Sequence, residues 1–246
     1  PDSEMPLHGA LNDARAVAEE LKRSGFDVEL GENLTGQAMR HAIDRLYRRI
    51  TTDTVALVFF SGFGIQAGRQ SYLIPVDAQI WSEADVRRDG ISLEALLGDI
   101  NGRGAGVKIA LLDASRRNPY ERRFRSFSAG LAPVIAPSGT LVMYSAALSS
   151  VVSDLGAERS LFVSELLKEI RVPGLSAEEA LNHTRVGVTR ASRGEQVPWL
   201  SSSLAEEFAF STAAPMASAA PASSPAPTVM PQAAPAVPAI AKDAPG

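Results

Sequence analysis

The chain has 246 residues, a formal net charge of −4 and no cysteine. The lack of cysteine excludes disulfides, thiolate metal ligands and a cysteine nucleophile within this sequence. The charge balance gives no electrostatic footprint for nucleic acid, and no apolar run reaches the ~18 residues of a membrane-spanning helix. We therefore predict a protein with no metal or cofactor, no nucleic-acid partner and no membrane span in this sequence.

Composition divides the chain into two regions. Residues 211–246 contain half of the 16 prolines and only two charged residues, Lys242 and Asp243. Such a segment buries too little apolar surface to offset its ordering entropy, so we predict a disordered Ala/Pro-rich linker. Residues 1–210 have the length of one domain with a full core. We expect further modules in the same polypeptide, and the linker and the absence of cysteine favour an exported protein.

Helices and strands alternate along the domain. Helical periodicity and capping signals predict helices at 11–25, 35–50, 92–102, 160–170 and 176–192. Apolar runs predict strands at 26–30, 54–60, 107–112, 140–144 and 206–210, with a short hairpin after the second of them. This alternation predicts an α/β fold with a mostly parallel sheet and helices on both faces.

Binding sites of such sheets form in the loops that follow the carboxyl ends of the strands. Three loops qualify here: "SGFG" after 54–60, "DASRRN" after 107–112 and "SAALSS" after 140–144. The candidate functional residues on these loops are Ser61, Phe63, Asp113, Ser115 and Ser145.

Two enzymatic or ligand-binding interpretations of these loops are weak. The glycines of "SGFGIQAG" do not match G-x-G-x-x-G, and the extended segment "RQSYLIPVD" follows instead of a helix, which favours a tight turn over a phosphate site. A Ser115 nucleophile needs a base, yet His8, His41 and His183 all lie away from the strand-end loops. For the arginine cluster of residues 115–128, a solvated loop is favoured over an anion or nucleic-acid patch.

Several segments together resemble a known family. "VFFSGFGIQ…SYLIPVDA" resembles the "YSGHG…YLIPVDA" segment of caspase-like peptidases, in particular bacterial metacaspase-like and orthocaspase-like domains. "IALLDASRRNPY" resembles their "LLDACRNNP" segment, and the likeness runs over residues 6–210. Phe63 and Ser115 lie about 50 residues apart, as do the histidine and cysteine of caspases.

The resemblance implies a caspase-like three-layer sandwich. It also implies a missing element, because the family begins with a central strand just before the segment that matches "PLHGALNDA". No such strand precedes that segment here. We therefore expect a domain that is truncated at its N-terminus.

The resemblance also assigns the site residues. Phe63 occupies the position of the family's catalytic histidine, and Ser115 occupies that of the cysteine nucleophile. Asp13, Ser61 and Asp113 match the residues that form the metacaspase pocket for basic side chains. The alternatives from local sequence are a helix cap for Asp13 and a strand-end turn for Asp113.

Three hypotheses of function follow from this pattern. The first is a pseudopeptidase that binds a peptide or protein with basic residues but does not cleave it. The second is a hydrolase of the cysteine-endopeptidase family with residual or serine-based cleavage after arginine or lysine, acting through Ser115. The third is a purely structural domain.

Overall fold

The computed structural model describes residues 8–114, 131–148 and 157–211. Its helices are α1 (His8–Arg23), α2 (Gly36–Arg49), α3 (Glu83–Asp89), α4 (Leu93–Gly102), α5 (Leu161–Glu169) and α6 (Ala177–Ala191). Its strands are β1 (Val55–Ser61), β2 (Phe63–Ala67), β3 (Gln70–Ile74), β4 (Ile91–Ser92), β5 (Val107–Asp113), β6 (Thr140–Tyr144) and β7 (Trp199–Ser202). The linker predicted at 211–246 lies outside the described residues, apart from its first residue.

The strands form two sheets. The main sheet has the order β1-β5-β6-β7, in which β1, β5 and β6 are parallel and β7 is antiparallel to β6. The second sheet consists of β2, β3 and β4, and all of its pairs are antiparallel. The predicted α/β fold with a mostly parallel sheet is confirmed.

Helices cover the main sheet on both faces. On β5, Ile109 and Leu111 pack with side chains of α1, α5 and α6. Ala110 and Leu112 point the other way and pack with α4 and α2. We call these two sides of the sheet the α1 face and the α4 face. Because successive side chains of a strand alternate in direction, a strand covered on both faces is apolar throughout, as the sequence "VKIALL" is.

The strand predicted at 26–30 is wrong. The segment keeps a strand's alternation, because Phe26 and Val28 pack on the α1-face cluster while the Glu29 carboxylate accepts a 2.8 Å hydrogen bond from Arg45 Nε of α2. No described strand pairs with it, however. Alternation of apolar and polar residues is therefore not enough for a strand. A strand also needs a neighbouring strand to which its backbone can hydrogen-bond.

The strand predicted at 206–210 is also wrong, since it is reduced to a single bridge between Ser176 and Ala209. Its aromatic residues instead contribute to the core, where the rings of Phe208 and Phe210 meet edge to face with centroids 5.5 Å apart. Helix α3 and strands β4 and β7 were not predicted from the sequence. All three are short, and β7 is a mixed stretch that carries no alternating pattern.

The "IPVDA" segment fixes the start of α2. The hydroxyl of Thr35 accepts a hydrogen bond from the Ala38 amide at the N-cap. The Asp77 carboxylate accepts a second one, 2.8 Å long, from the amide of Gly36. A carboxylate at a helix N-terminus satisfies an amide that has no partner inside the helix. Asp77 therefore ties the end of the hairpin to α2.

Steric crowding explains why the second glycine of "SGFG", Gly64, has no side chain. A Cβ atom on Gly64 would lie 2.6 Å from Leu131 Cδ2 and 3.1 Å from Ala114 Cβ. Neither glycine of the turn has a positive φ. A glycine is therefore favoured at position 64 because β2 passes close to Ala114 and Leu131. A backbone conformation that only glycine adopts easily is not the reason.

A small polar cluster on the α4 face holds the segment that begins at Leu131. The Ser71 hydroxyl donates to the Ala132 carbonyl and accepts from the Ala132 amide, both at 3.0 Å. The Tyr144 hydroxyl donates to the same carbonyl at 3.0 Å. Burial and, to a lesser extent, the nearby Glu94 carboxylate raise the pKa of Tyr144. Burial likewise raises the pKa of the Glu94 carboxyl.

Substitution of Gly64 by alanine tests the close approach. We expect Gly64→Ala to lower the free energy of unfolding by about 1–3 kcal/mol, because the added methyl group overpacks the contact with Leu131. The matched control is Gly98→Ala in α4, where an added Cβ meets nothing within 4 Å. There the same change should stabilise the protein by about 0.5–1 kcal/mol. Urea unfolding of both variants measures the difference, and equal effects would contradict the account.

Glu94 makes stability depend on pH. Its raised pKa means that the folded state holds this proton to a higher pH than the unfolded state does. Stability is therefore lost as pH rises from the ordinary glutamate pKa through the raised one. We expect Glu94→Gln to gain stability relative to the wild type as the pH rises from the ordinary glutamate pKa through the raised one, as measured by urea unfolding at several pH values. Glu19→Gln, at an exposed position of α1, controls for the lost charge. A Glu94→Gln difference that is constant with pH would refute this.

Candidate functional site

Three polar side chains stand next to one another at the carboxyl end of the main sheet. Ser61 and Asp113 are register partners on β1 and β5. Ser145 directly follows β6, and its amide donates to the Leu112 carbonyl at 2.9 Å, which continues the β5–β6 register. We call Ser61, Asp113 and Ser145 the strand-end row. By the alternation of the strands, all three side chains lie on the α1 face.

The strand-end row is buried. Asp113 is 2% exposed and Ser145 is 0% exposed. The hydroxyl oxygens of Ser61 and Ser145 are buried too, and neither has a hydrogen-bond partner among the described residues. Buried hydroxyls nearly always have a partner. Two such oxygens on either side of one carboxylate therefore mark this place as a candidate site.

Asp13 lies on the same side of the sheet as the strand-end row. It is fully buried on α1, one turn before Val17, which packs in the α1-face core. Its carboxylate accepts hydrogen bonds from the amide of Ser160, at 3.1 Å to Oδ1 and 3.4 Å to Oδ2. Ser160 is the N-cap of α5. Asp13 thus binds the backbone of the residue that caps the start of α5.

Phe63 is held beside the end of β5 by its neighbours. The amide of Gly62 donates to the Asp113 carbonyl at 3.2 Å, and that of Gly64 donates to the Ala114 carbonyl at 3.1 Å. The Phe63 side chain is partly buried and packs against the cluster of the smaller sheet. A phenyl ring cannot accept or donate a proton. The side chain at this position therefore contributes packing and no acid–base chemistry.

Ser115 and the arginine cluster of 115–128 lie outside the described residues. Ala114, the residue before Ser115, is fully buried. Of the histidines weighed as a base, His183 lies on α6 with its Nδ1 3.2 Å from the Glu169 carboxylate, away from the strand-end loops as predicted.

Two residues of this region are not marked as functional by any motif in the sequence. Ser160 had been predicted only as the first residue of a helix, and it is the group through which α5 meets Asp13. Gln196 is 8% exposed and donates from Nε2 to the Ser145 carbonyl at 2.7 Å. A capping signal at Ser160 was present in the sequence, whereas nothing local marked Gln196, because it reaches its partner across the fold.

The described residues contain no group of three histidine, aspartate or glutamate side chains placed to hold a metal ion. Within the same ranges, no helix is both long enough and apolar enough to cross a bilayer.

Comparison with known proteins agrees with the observed fold. No curated protein matches the chain significantly. The family model described as the caspase domain matches residues 1–209, which is most of the chain and includes every strand of both sheets. The chain therefore belongs to the caspase domain family of peptidases.

Proposed function

We propose that this chain is a catalytically inactive caspase domain. It binds peptides or proteins by holding one of their basic side chains in a pocket. The observation that carries the proposal is Phe63, which stands between Gly62 and Gly64 where the resemblance places the catalytic histidine. By the same resemblance Ser115 stands at the position of the cysteine nucleophile. The sequence contains no cysteine that could serve as the nucleophile instead.

The chemistry supports the loss of activity. Cysteine peptidases attack with a thiolate, which a neighbouring base activates. Phe63 supplies no base, and the hydroxyl of Ser115 is a far weaker nucleophile than a thiolate. Because catalytic residues that act as a unit are not additive, either replacement alone should abolish most of the acyl transfer.

The proposed binding pocket consists of Asp13, Ser61 and Asp113. Ser61 and Asp113 are neighbours in register, and α1, which carries Asp13, covers the same face of the sheet. Carboxylates and a hydroxyl form charge-assisted hydrogen bonds with a guanidinium or an ammonium group. Asp13 and Asp113 are almost fully buried in this structure, so binding has to uncover them. Residues 211–246 would link this binding domain to further modules.

Binding is tested with a peptide that contains one arginine and with its citrulline analogue, which has nearly the same shape but no charge. We expect the wild type to prefer the arginine peptide, and Asp113→Asn to weaken that binding by about tenfold or more, as for loss of a hydrogen bond between charged groups. Asp44→Asn, an exposed site on α2, makes the same charge change away from the pocket. Isothermal titration calorimetry gives the affinities.

Equal affinity of the wild type for the two peptides would overturn the basic pocket. So would full arginine binding by a folded Asp113→Asn variant. No binding of either peptide by the folded wild type would instead favour a purely structural domain.

Catalysis is tested by restoring both residues. We expect no turnover of arginine- or lysine-containing fluorogenic peptides by the wild type. The variant with Phe63→His and Ser115→Cys together should cleave after arginine, because the base and the thiol return beside the pocket. Adding Asp113→Asn to this variant should remove the cleavage. Wild-type turnover that disappears in Ser115→Ala would contradict inactivity and favour a serine-based hydrolase.

A further inference from the structure

We propose that Ser145 is a further specificity-determining residue of the pocket, and that its hydroxyl makes the pocket bind arginine in preference to lysine. The inference rests on the proposed function and extends it to a residue and to a choice between the two basic side chains. The observation behind it is the strand-end row, in which Asp113 lies between two buried hydroxyls.

The backbone of Ser145 is fixed on both sides. Its amide donates to the Leu112 carbonyl at 2.9 Å, and its carbonyl accepts from Gln196 Nε2 at 2.7 Å. These bonds keep Ser145 in line with β6, one residue past the strand. Its side chain is therefore held next to that of Asp113, on the α1 face.

The amide and the carbonyl of Ser145 are both hydrogen-bonded, whereas its side-chain hydroxyl has no partner among the described residues. The residue is 0% exposed. A buried hydroxyl without a partner costs stability. A ligand that brings N–H donors into the pocket would supply the missing partner.

An unpaired hydroxyl alone does not define a site, and β6 itself provides the comparison. Thr140, at the opposite end of the same strand, is 1% exposed and its Oγ1 also lacks a partner among the described residues. Its register partner is Lys108 rather than an acidic residue. Thr140 thus shares the burial of Ser145 but neither the carboxylate neighbour nor the carboxyl end of the sheet, where ligands bind in such folds.

The geometry of the row favours a planar cation. Neighbouring strands are about 4.8 Å apart, so three strand ends span about 10 Å. A guanidinium presents five N–H donors in a flat fork, whereas an ammonium presents three on one compact centre. With Asp113 in the middle, a guanidinium can bond to the carboxylate and still reach a hydroxyl on each side. An ammonium that is bound to Asp113 and Ser61 has its donors on one compact centre, so it gains less from a hydrogen bond to Ser145.

The test compares Ser145→Ala with Thr140→Val, which removes the other unpaired hydroxyl of β6. Affinities for an arginine peptide and for the same peptide with lysine are measured by calorimetry. We expect Ser145→Ala to weaken arginine binding by about tenfold and lysine binding by less than about threefold, as for loss of one hydrogen bond to a charged group. Thr140→Val should change neither. Ser145→Cys, of similar size but with a poor acceptor, should behave as Ser145→Ala does.

Wild-type affinity for arginine in folded Ser145→Ala and Ser145→Cys would overturn the role of Ser145. If Asp113→Asn loses arginine binding in the same experiment, the proposed basic pocket stands and only the role of Ser145 is wrong. Equal losses for arginine and lysine would overturn the selectivity. A wild type that binds neither peptide would overturn the inference together with the proposed function.

Discussion

Strand β5 carries the constraint on which the rest of this structure depends. It pairs in parallel with β1 on one side and with β6 on the other. Its side chains are buried on both faces, with Ile109 and Leu111 against the α1 face and Ala110 and Leu112 against the α4 face. Because a shift of one residue would move every side chain to the opposite face, this register is strongly fixed. The ends of all three strands are therefore fixed relative to one another.

That register decides what lies at the carboxyl end of the sheet. It places Ser61 beside Asp113, and the continuation of β6 places Ser145 on the other side. The amides of Gly62 and Gly64 bond to the carbonyls of Asp113 and Ala114 and so hold Phe63 at the same edge. The proposed function is that this arrangement binds a basic side chain and, with phenylalanine at position 63, does not cleave beside it.

Several features could be predicted from the sequence because they depend on local pattern. The continuous apolar runs gave β1 and β5, and the capping box of Ser176 with Glu179 gave the start of α6. The prediction of a strand at 26–30 was wrong because alternation describes the two faces of an extended segment, while a strand also needs a neighbour for its backbone. The short helix α3 was missed, although Ser82 caps it by accepting from the Asp85 amide, since seven residues leave little periodicity.

The chemical groups of this protein follow directly from its amino-acid sequence. It shows phenylalanine between the two glycines, serine after "DA" and no cysteine anywhere, and these identities set the possible chemistry before any folding. Which of these groups are neighbours depends on how the chain folds. Asp13 meets the start of α5 at Ser160, and Ser145 stands beside Asp113 with a buried, unpaired hydroxyl. Residues far apart along the chain meet through strand register and helix packing, which no local pattern encodes.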